Sequence, residues 1–287
     1  MTDRYAVIGN PIAHSRSPWI HSHFAKQLGL DLDYGRQLVP LDDFVGTVRA
    51  MQEAGYKGAN VTVPFKQQAF ELGDVHSDAV AFAKAANTLK FLPDGQIQTD
   101  NTDGMGLCRD LSDRLATKSL SLAEVQVVMV GAGGAASGCV SAFKQAGVKH
   151  LSILNRTADK AVELAQRATS IRLPAWGGGL LDFPGDLENI PVVLVNASSS
   201  SLKGEVPTLN ERWYSGTVLA YDMMYAAQPT AFMRDIGPRL SSDALLSDGL
   251  GMLVHQAALS FEWWTGQRPD AVLTLNALRT ILTGESK

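Results

Sequence analysis

Val125-Gln-Val-Val-Met-Val130 runs straight into Gly131-Ala-Gly-Gly-Ala-Ala136. An apolar run, then glycines, then small residues opening a helix is the pattern of a dinucleotide-binding strand–turn–helix unit. Gly131 allows the tight turn out of the strand. Gly133 lets the backbone approach a pyrophosphate, and Ala136 lets the helix pack closely on the sheet. Gly131, Ala132, Gly133, Gly134 and Ala135 are the expected phosphate cradle. There the exposed N–H groups and the helix dipole, worth roughly half a positive charge, face the phosphates. Such turns also arise by chance in Ala/Gly-rich helices, so the residues beyond the turn decide the reading. The helix is expected to run to about Gly147, where Ala146-Gly147 reads as a stop. A second strand, Val148-Lys-His-Leu-Ser-Ile-Leu154, then ends in Asn155-Arg-Thr157.

In NAD-binding units that second strand ends in an acid that bonds the ribose 2′-hydroxyl. Here no acid stands at the tip; Arg156 does, with Lys160 one helical turn later. A carboxylate repels a 2′-phosphate, whereas a guanidinium binds it bidentately and stacks on adenine. The expected cofactor is NADP(H) rather than NAD(H). The competing reading is an ordinary solvated loop cation.

The motif lies near the middle of 287 residues, so a large block precedes it that must do something other than bind the nucleotide. That length suffices for two domains with substantial cores. A formal net charge of -4 gives no electrostatic case for nucleic acid or a membrane surface. No apolar run is long enough to cross a bilayer. Cys108 and Cys139 are far apart and lack metal-type spacing, which fits free thiols in a reducing cytoplasm. Met1-Thr-Asp-Arg-Tyr5 leads directly into a strand, so no signal peptide is expected. There is no internal repeat, and Gly177-Gly-Gly179 and Ser198-Ser-Ser-Ser201 read as loops.

The first block alternates strand and helix: a strand at 4–9, a helix with Ser17 at its cap and Pro18 in its first turn, a strand at 34–39, a helix from Asp42-Asp43, and a strand at 58–63. A short helix over 65–72 follows, then two strands around the turn Pro93-Asp-Gly95 and a helix over 104–115. After the nucleotide unit come a helix over 158–168, strands at 192–195, 218–221 and 244–246, an apolar helix over 251–264 and a last helix over 270–282. The expected class is α/β with two α/β domains: a substrate-binding domain at 1–103 and a Rossmann-type NADP-binding domain at 104–252, with a cleft between them. Helices within 253–287 are expected to complete the first domain.

Polar residues gather at the strand ends of the first block. They include the loop Gly9-Asn-Pro-Ile-Ala-His-Ser-Arg-Ser-Pro18, then Thr62 and Lys66, Asn87, and Asp103. Hydride transfer to a ketone leaves an alkoxide that needs a positioned acid. A Lys–Asp pair supplies one: the ammonium donates while the carboxylate orients it. Asn, Ser and Thr can bind a polyol while staying neutral. Each residue also has a plainer reading. Lys66 would be a surface cation, Asp103 a helix cap and Ser17 a cap; Trp263, Trp264 and Met252 would be core. His21 and His23 are two apart and so do not share a helix face; with His14 they make no metal site.

Taken together these stretches resemble the shikimate dehydrogenase family over essentially the whole chain. The resemblance is carried by 9–18, Asn60-Val-Thr-Val-Pro-Phe-Lys66, Ala85-Ala-Asn-Thr-Leu89, Asp100-Asn-Thr-Asp-Gly104, 131–136, 155–157, and Asp248-Gly-Leu-Gly-Met252 through Gln256-Ala-Ala258, in the same order. It implies NADPH-dependent, reversible reduction of 3-dehydroshikimate to shikimate in aromatic amino-acid biosynthesis; the expected compartment is the cytoplasm, and monomer and homodimer both stay open. It implies Lys66 and Asp103 as the catalytic pair, and Ser15, Ser17, Thr62, Lys66, Asn87, Asp103, Tyr225 and Gln256 around the substrate. It further implies Gly131 to Ala135, Asn155, Arg156 and Thr157 on the cofactor, and Ser198, Met223, Gly249 and Met252 on its nicotinamide side; Lys160 joins the cofactor residues on its position alone. Two departures are small. The family's frequent Asn-Ala-Thr-Ser is Asn196-Ala-Ser-Ser199 here, and Ser22 stands where relatives often carry Asn. An NAD-accepting quinate/shikimate dehydrogenase is the nearest alternative, and a non-catalytic NADP(H) sensor a remote one.

Overall fold

The computed structural model describes residues 2–185, 190–198, 200 and 204–284. The chain divides into two compact units, Met1–Gly106 with Val254–Leu278, and Leu107–Leu253 with Arg279–Lys287. Each is built round its own six-stranded sheet.

The strands of the first unit are β1 (Asp3–Gly9), β2 (Leu32–Leu38), β3 (Gly58–Val61), β4 (Val75–His76), β5 (Thr88–Phe91) and β6 (Ile97–Asp100), in the order β2-β1-β3-β5-β6-β4. Helices α1 (Ser17–Leu28) and α2 (Phe44–Glu53) carry the chain between β1, β2 and β3, which therefore pair in parallel. β5 is antiparallel to both β3 and β6, because the tight turn at Pro93-Asp-Gly95 joins β5 directly to β6; Gly95 takes φ +89° there. Two further short helices are α3 (Lys66–Leu72) and α4 (Asp78–Ala83), and the longer α5 (Asp103–Ala116) begins in this unit.

Alternation along the strands separates two apolar layers. Ala6, Ile8, Ala59, Val61 and Leu89 pack with Phe44, Val48 and Phe65. Tyr5, Val7 and Tyr34 pack instead with Trp264, near the end of α9 (Leu250–Thr265). Trp264 is core, stacked on Tyr5 at 4.6 Å between ring centres, and its indole N–H donates to the Leu89 carbonyl at 2.9 Å. Gly58 makes room for it: a Cβ there would strike the Leu89 carbonyl and stand 2.7 Å from the Trp264 ring nitrogen. The last helix is α10 (Ala271–Thr283), and Gln27 of α1 donates to Thr274 on it at 2.7 Å.

The second unit contains β7 (Gln126–Val130), α6 (Gly134–Gln145), β8 (His150–Leu154), α7 (Ala158–Ser170), β9 (Ala175–Gly178), β10 (Val192–Asn196), β11 (Thr217–Asp222), α8 (Ala231–Ile236) and β12 (Leu245–Asp248). Its sheet is wholly parallel, in the order β12-β11-β10-β7-β8-β9. That is the doubly wound Rossmann order, with the direction of winding reversing between β7 and β10. Every residue of β7 and β10 is buried, as helices on both faces of a parallel sheet require. Val128, Val130, Val192 and Leu194 pack on one face with Trp213 and Phe232.

Two local expectations change. Gly177 and Gly178 belong to β9 and are not loop. A Cβ on Gly177 would strike the Ala161 carbonyl of α7 and stand 2.6 Å from the Val162 nitrogen, so glycine there permits close strand–helix approach. Ser17 is the first residue of α1, and Arg16 occupies the cap position; the Ser15 hydroxyl accepts the Ser17 N–H at 3.3 Å. Of the serine run expected as loop, Ser199 and Ser201 lie outside the described residues. Among the described residues no helix is long and apolar enough to cross a membrane.

Candidate functional site

In the first unit the carboxyl ends of β3 and β6 and the amino end of the antiparallel β5 bring polar side chains together. Lys66 opens α3, four residues beyond Thr62, and its carbonyl accepts the Ala86 N–H at 2.8 Å. Asp103 is the first residue of α5, and its N–H is taken by the Asn101 side chain at 3.2 Å. The Lys66 ammonium donates to Asp103 Oδ2 at 2.5 Å, and the Asn87 amide donates to Oδ1 at 2.8 Å. Both carboxylate oxygens are thus held, one by a charge and one by a neutral amide. The Lys66 and Asp103 side chains are 31% and 22% exposed, while Asn87 is 3% exposed. The charged pair therefore faces open space, and its support lies inside. A partly open ammonium–carboxylate pair can exchange a proton with a ligand oxygen in hydrogen-bond reach.

Gln256 joins this group from α9: its Oε1 accepts from Asn87 Nδ2 at 3.3 Å. Thr62 is half-buried beside Gly9, where any Cβ would strike the Thr62 methyl. Ser15 is half-buried and Ser17 buried; the Arg36 guanidinium donates twice to the Ser15 carbonyl, at 3.1 and 2.7 Å, which fixes the hydroxyl loop to β2. Tyr225 belongs to the second unit, just after β11.

Behind these residues is a buried layer that sequence reading did not single out as functional. Tyr34 donates to Asn60 Oδ1 at 2.7 Å, and Asn60 Nδ2 donates to Ser260 at 2.9 Å and to Thr88 at 3.1 Å. Thr88 donates to Asn87 Oδ1 at 2.8 Å. Asn60 and Thr88 stand inside the quoted motifs, and for Asn60 the available signal was a polar residue within the otherwise apolar strand β3. His21 is wholly buried, its ring stacked on Tyr34 at 4.0 Å and 3°. Burial pushes its pKa down to about 3, against a smaller opposite effect of Asn60, so it is a neutral core ring at physiological pH. Among the described residues no group of three or more His, Cys, Asp or Glu could hold a metal ion.

In the second unit Gly131 leaves β7 with φ +114°, a conformation that favours glycine, and a Cβ there would meet the Ala197 backbone at 3.2 Å. Ala132 is half-buried; Gly133, Gly134 and Ala135 are exposed, and Ala136 is buried. Gly133 caps α6 without any side-chain bond, and a Cβ on Gly133 or Gly134 would meet nothing within 4 Å. The helix start therefore presents open space and uncapped N–H groups, which fits a phosphate ligand. Asn155 ties the end of β8 in place: its N–H donates to the Gly178 carbonyl at 3.1 Å and its side chain to the Thr157 carbonyl at 2.9 Å. Arg156, Thr157 and Lys160 are exposed around that turn, so the cations present there fit a 2′-phosphate.

At the ends of β10 and β11, Asn196 accepts from Ser198 at 2.7 Å and donates to Asp222 at 3.1 Å, while its carbonyl takes the Met223 N–H at 3.0 Å. Gly249 donates to the Met224 carbonyl at 3.0 Å, and a Cβ on Gly249 would strike the Met223 carbonyl. The Met252 N–H donates to the Tyr221 hydroxyl at 3.2 Å, which itself donates to Asp110 at 2.7 Å. Arg279 grips both oxygens of Asp248. Ser198, Met223, Gly249 and Met252 thus all stand on segments fixed by buried polar contacts.

The chain matches known proteins over most of its length. Family models described as shikimate dehydrogenase substrate binding domain, shikimate / quinate 5-dehydrogenase, and shikimate 5'-dehydrogenase C-terminal domain match residues 7–89, 114–201 and 249–279. A shikimate dehydrogenase (NADP(+)) of Cupriavidus pinatubonensis is 45% identical over 99% of this chain and 96% of its own length. Among solved structures, an Ael1 enzyme from Pseudomonas putida is 40% identical, with a TM-score of 0.85, over 96% of this chain and 98% of that one. The shikimate 5-dehydrogenase of Thermus thermophilus in complex with NADP(H) and shikimate is 28% identical, with a TM-score of 0.81, over 98% of this chain and 100% of that one.

Proposed function

We propose, for a chain that belongs to the shikimate dehydrogenase family, that it reduces 3-dehydroshikimate reversibly to shikimate with NADPH. The observation that carries this reading is the Lys66–Asp103 pair at 2.5 Å, partly open and held from behind by Asn87. A carbonyl reduction needs such a proton donor, and a polyol carboxylate needs the neutral hydrogen-bonding residues around it.

The first unit takes the substrate. Ser15, Ser17, Thr62, Asn87 and Gln256 bind its carboxylate and hydroxyls without adding charge, so the ring is oriented and the ketone oxygen meets Lys66 and Asp103. The second unit takes the cofactor. Gly131 to Ala135 receive the pyrophosphate on backbone N–H groups; Asn155, Arg156, Thr157 and Lys160 hold the adenosine end; Ser198, Met223, Gly249 and Met252 border the nicotinamide. When bound, the reduced nicotinamide supplies a hydride to the ring ketone. Lys66 donates the proton that the developing alkoxide requires, and Asp103 holds the ammonium in place and stabilises its charge. In the reverse direction the same pair takes the proton back. The cytoplasm, where NADPH is available and Cys108 and Cys139 remain free thiols, is the proposed compartment.

The test is a paired assay by nicotinamide absorbance, with shikimate or quinate and with NADP+ or NAD+. Shikimate with NADP+ should give the highest kcat/KM of the four. Quinate with NAD+ matching it would make the chain a quinate/shikimate dehydrogenase, and no turnover with any pair would remove the enzymatic reading.

A further inference from the structure

We infer that Thr88 is a positioning residue for the Lys66–Asp103 pair, acting through the Asn87 amide. The inference rests on the reading of Lys66 and Asp103 as the catalytic pair.

Thr88 is fully buried at the start of β5. Its hydroxyl donates to Asn87 Oδ1 at 2.8 Å, accepts from Asn60 Nδ2 at 3.1 Å and lies 2.8 Å from the Ser260 hydroxyl. The sense of this chain is fixed from both ends. The Asn87 backbone carbonyl can only accept and takes Asn60 Nδ2 at 3.3 Å, so Asn60 must turn its NH2 toward Thr88 and Ser260 and its Oδ1 toward the Tyr34 hydroxyl. The Thr102 backbone N–H donates to Asn87 Oδ1 at 2.9 Å, so Asn87 must turn its NH2 toward Asp103. Thr88 sits between them with one proton and free lone pairs: it takes from Asn60 and gives to Asn87.

Hydrogen bonds running in one sense polarise one another, and here they end on a carboxylate. The last donor takes Asp103 Oδ1 and leaves Oδ2 for Lys66. The buried chain therefore fixes which oxygen of Asp103 faces the ammonium, and where. Thr102 and Ser260 brace it from the side, with their hydroxyls 3.2 Å apart. None of Tyr34, Asn60, Thr88 or Ser260 needs to touch a ligand; they act through Asn87.

Valine is nearly isosteric with threonine but places a methyl where the hydroxyl was. Carbon contacts need about 3.5 Å, so a methyl cannot remain at 2.8 Å from Asn87 Oδ1 and must push it aside. Serine keeps the hydroxyl and loses only the methyl. For Thr88→Val we expect kcat for 3-dehydroshikimate to fall about tenfold with KM for NADPH within about twofold of wild type, and Thr88→Ser to recover kcat to within about threefold. A crystal structure of Thr88→Val, which requires no turnover, should show the Asn87 amide displaced and the Lys66–Asp103 contact lengthened beyond about 3.5 Å. Wild-type kcat in Thr88→Val, or a serine variant as slow as the valine variant, would overturn the inference. Should wild-type protein not turn over this substrate, the functional reading fails on its own, and the crystal structure still decides: Asn87 and Asp103 unmoved would refute positioning. If Thr88→Val does not fold, Tyr34→Phe removes the first donor of the same chain. It should lower kcat about threefold at unchanged KM for NADPH, and a wild-type kcat would count against the inference.

Discussion

Replacement of Lys66 by alanine should lower kcat for 3-dehydroshikimate reduction by roughly 10²- to 10⁴-fold, the range for loss of a general acid. The effect should fall on kcat more than on KM for the substrate, because the removed ammonium matters most when negative charge develops on the oxygen. Folding should be little affected. Lys66 lies in the first turn of a short helix with its side chain 31% exposed, and no apolar core residue depends on it. The loss also leaves Asp103 Oδ2 without its partner, while Oδ1 keeps the Asn87 amide. A thermal melt and steady-state kinetics on the same preparation separate the two contributions. Full kcat in Lys66→Ala would mean that the proton comes from elsewhere.

Arg156→Ala should raise KM for NADPH roughly ten- to a hundredfold and leave NADH kinetics nearly unchanged, as expected for charge-assisted bonds to a phosphate that only one cofactor carries. The residue is exposed at the end of β8, on a turn that Asn155 closes through its own side chain and backbone. Alanine there removes a charge without opening a core. The NADPH penalty should shrink as salt is raised, since exposed charges are screened over about 10 Å at 0.1 M ionic strength. Equal losses with both cofactors would show that Arg156 supports the turn and does not read the 2′-phosphate.

Much of this arrangement was legible in the sequence because it depends on local chemistry. The run into Gly131 specified a strand, a tight turn and a helix start with exposed N–H groups within a dozen residues, and the structure has β7, Gly131 at φ +114° and α6 without a side-chain cap. Alternating strands and helices specified two α/β units. The antiparallel pairing of β5 with β6 followed from the turn at Gly95. What the sequence concealed was non-local. The strand β4 and helix α4, of two and six residues, are too short to show a period. The strand at Gly177 looked like loop because its glycines answer to α7, some fifteen residues back, and not to their neighbours.

The candidate site divides in the same way. Lys66, Asn87 and Asp103 could be picked out as polar residues at strand ends, where such sheets place their chemistry. The layer beneath them could not. The Tyr34 partner is 26 residues away in sequence and the Ser260 partner of Asn60 is 200 away, so no spacing rule reaches either. Gln256 and Ser260, one turn apart on a strongly apolar helix, show why: two polar residues on one face of a buried helix announce a partner without naming it.

Whether Lys66 and Asp103 act on one substrate oxygen is decided most sharply by a crystal structure with shikimate and NADP+ bound. The hydroxyl oxygen on the reacting ring carbon should lie within about 3.2 Å of both Lys66 Nζ and an Asp103 carboxylate oxygen. A Lys66 ammonium turned into bulk solvent and away from Asp103, with both ligands in place, would refute the shared role.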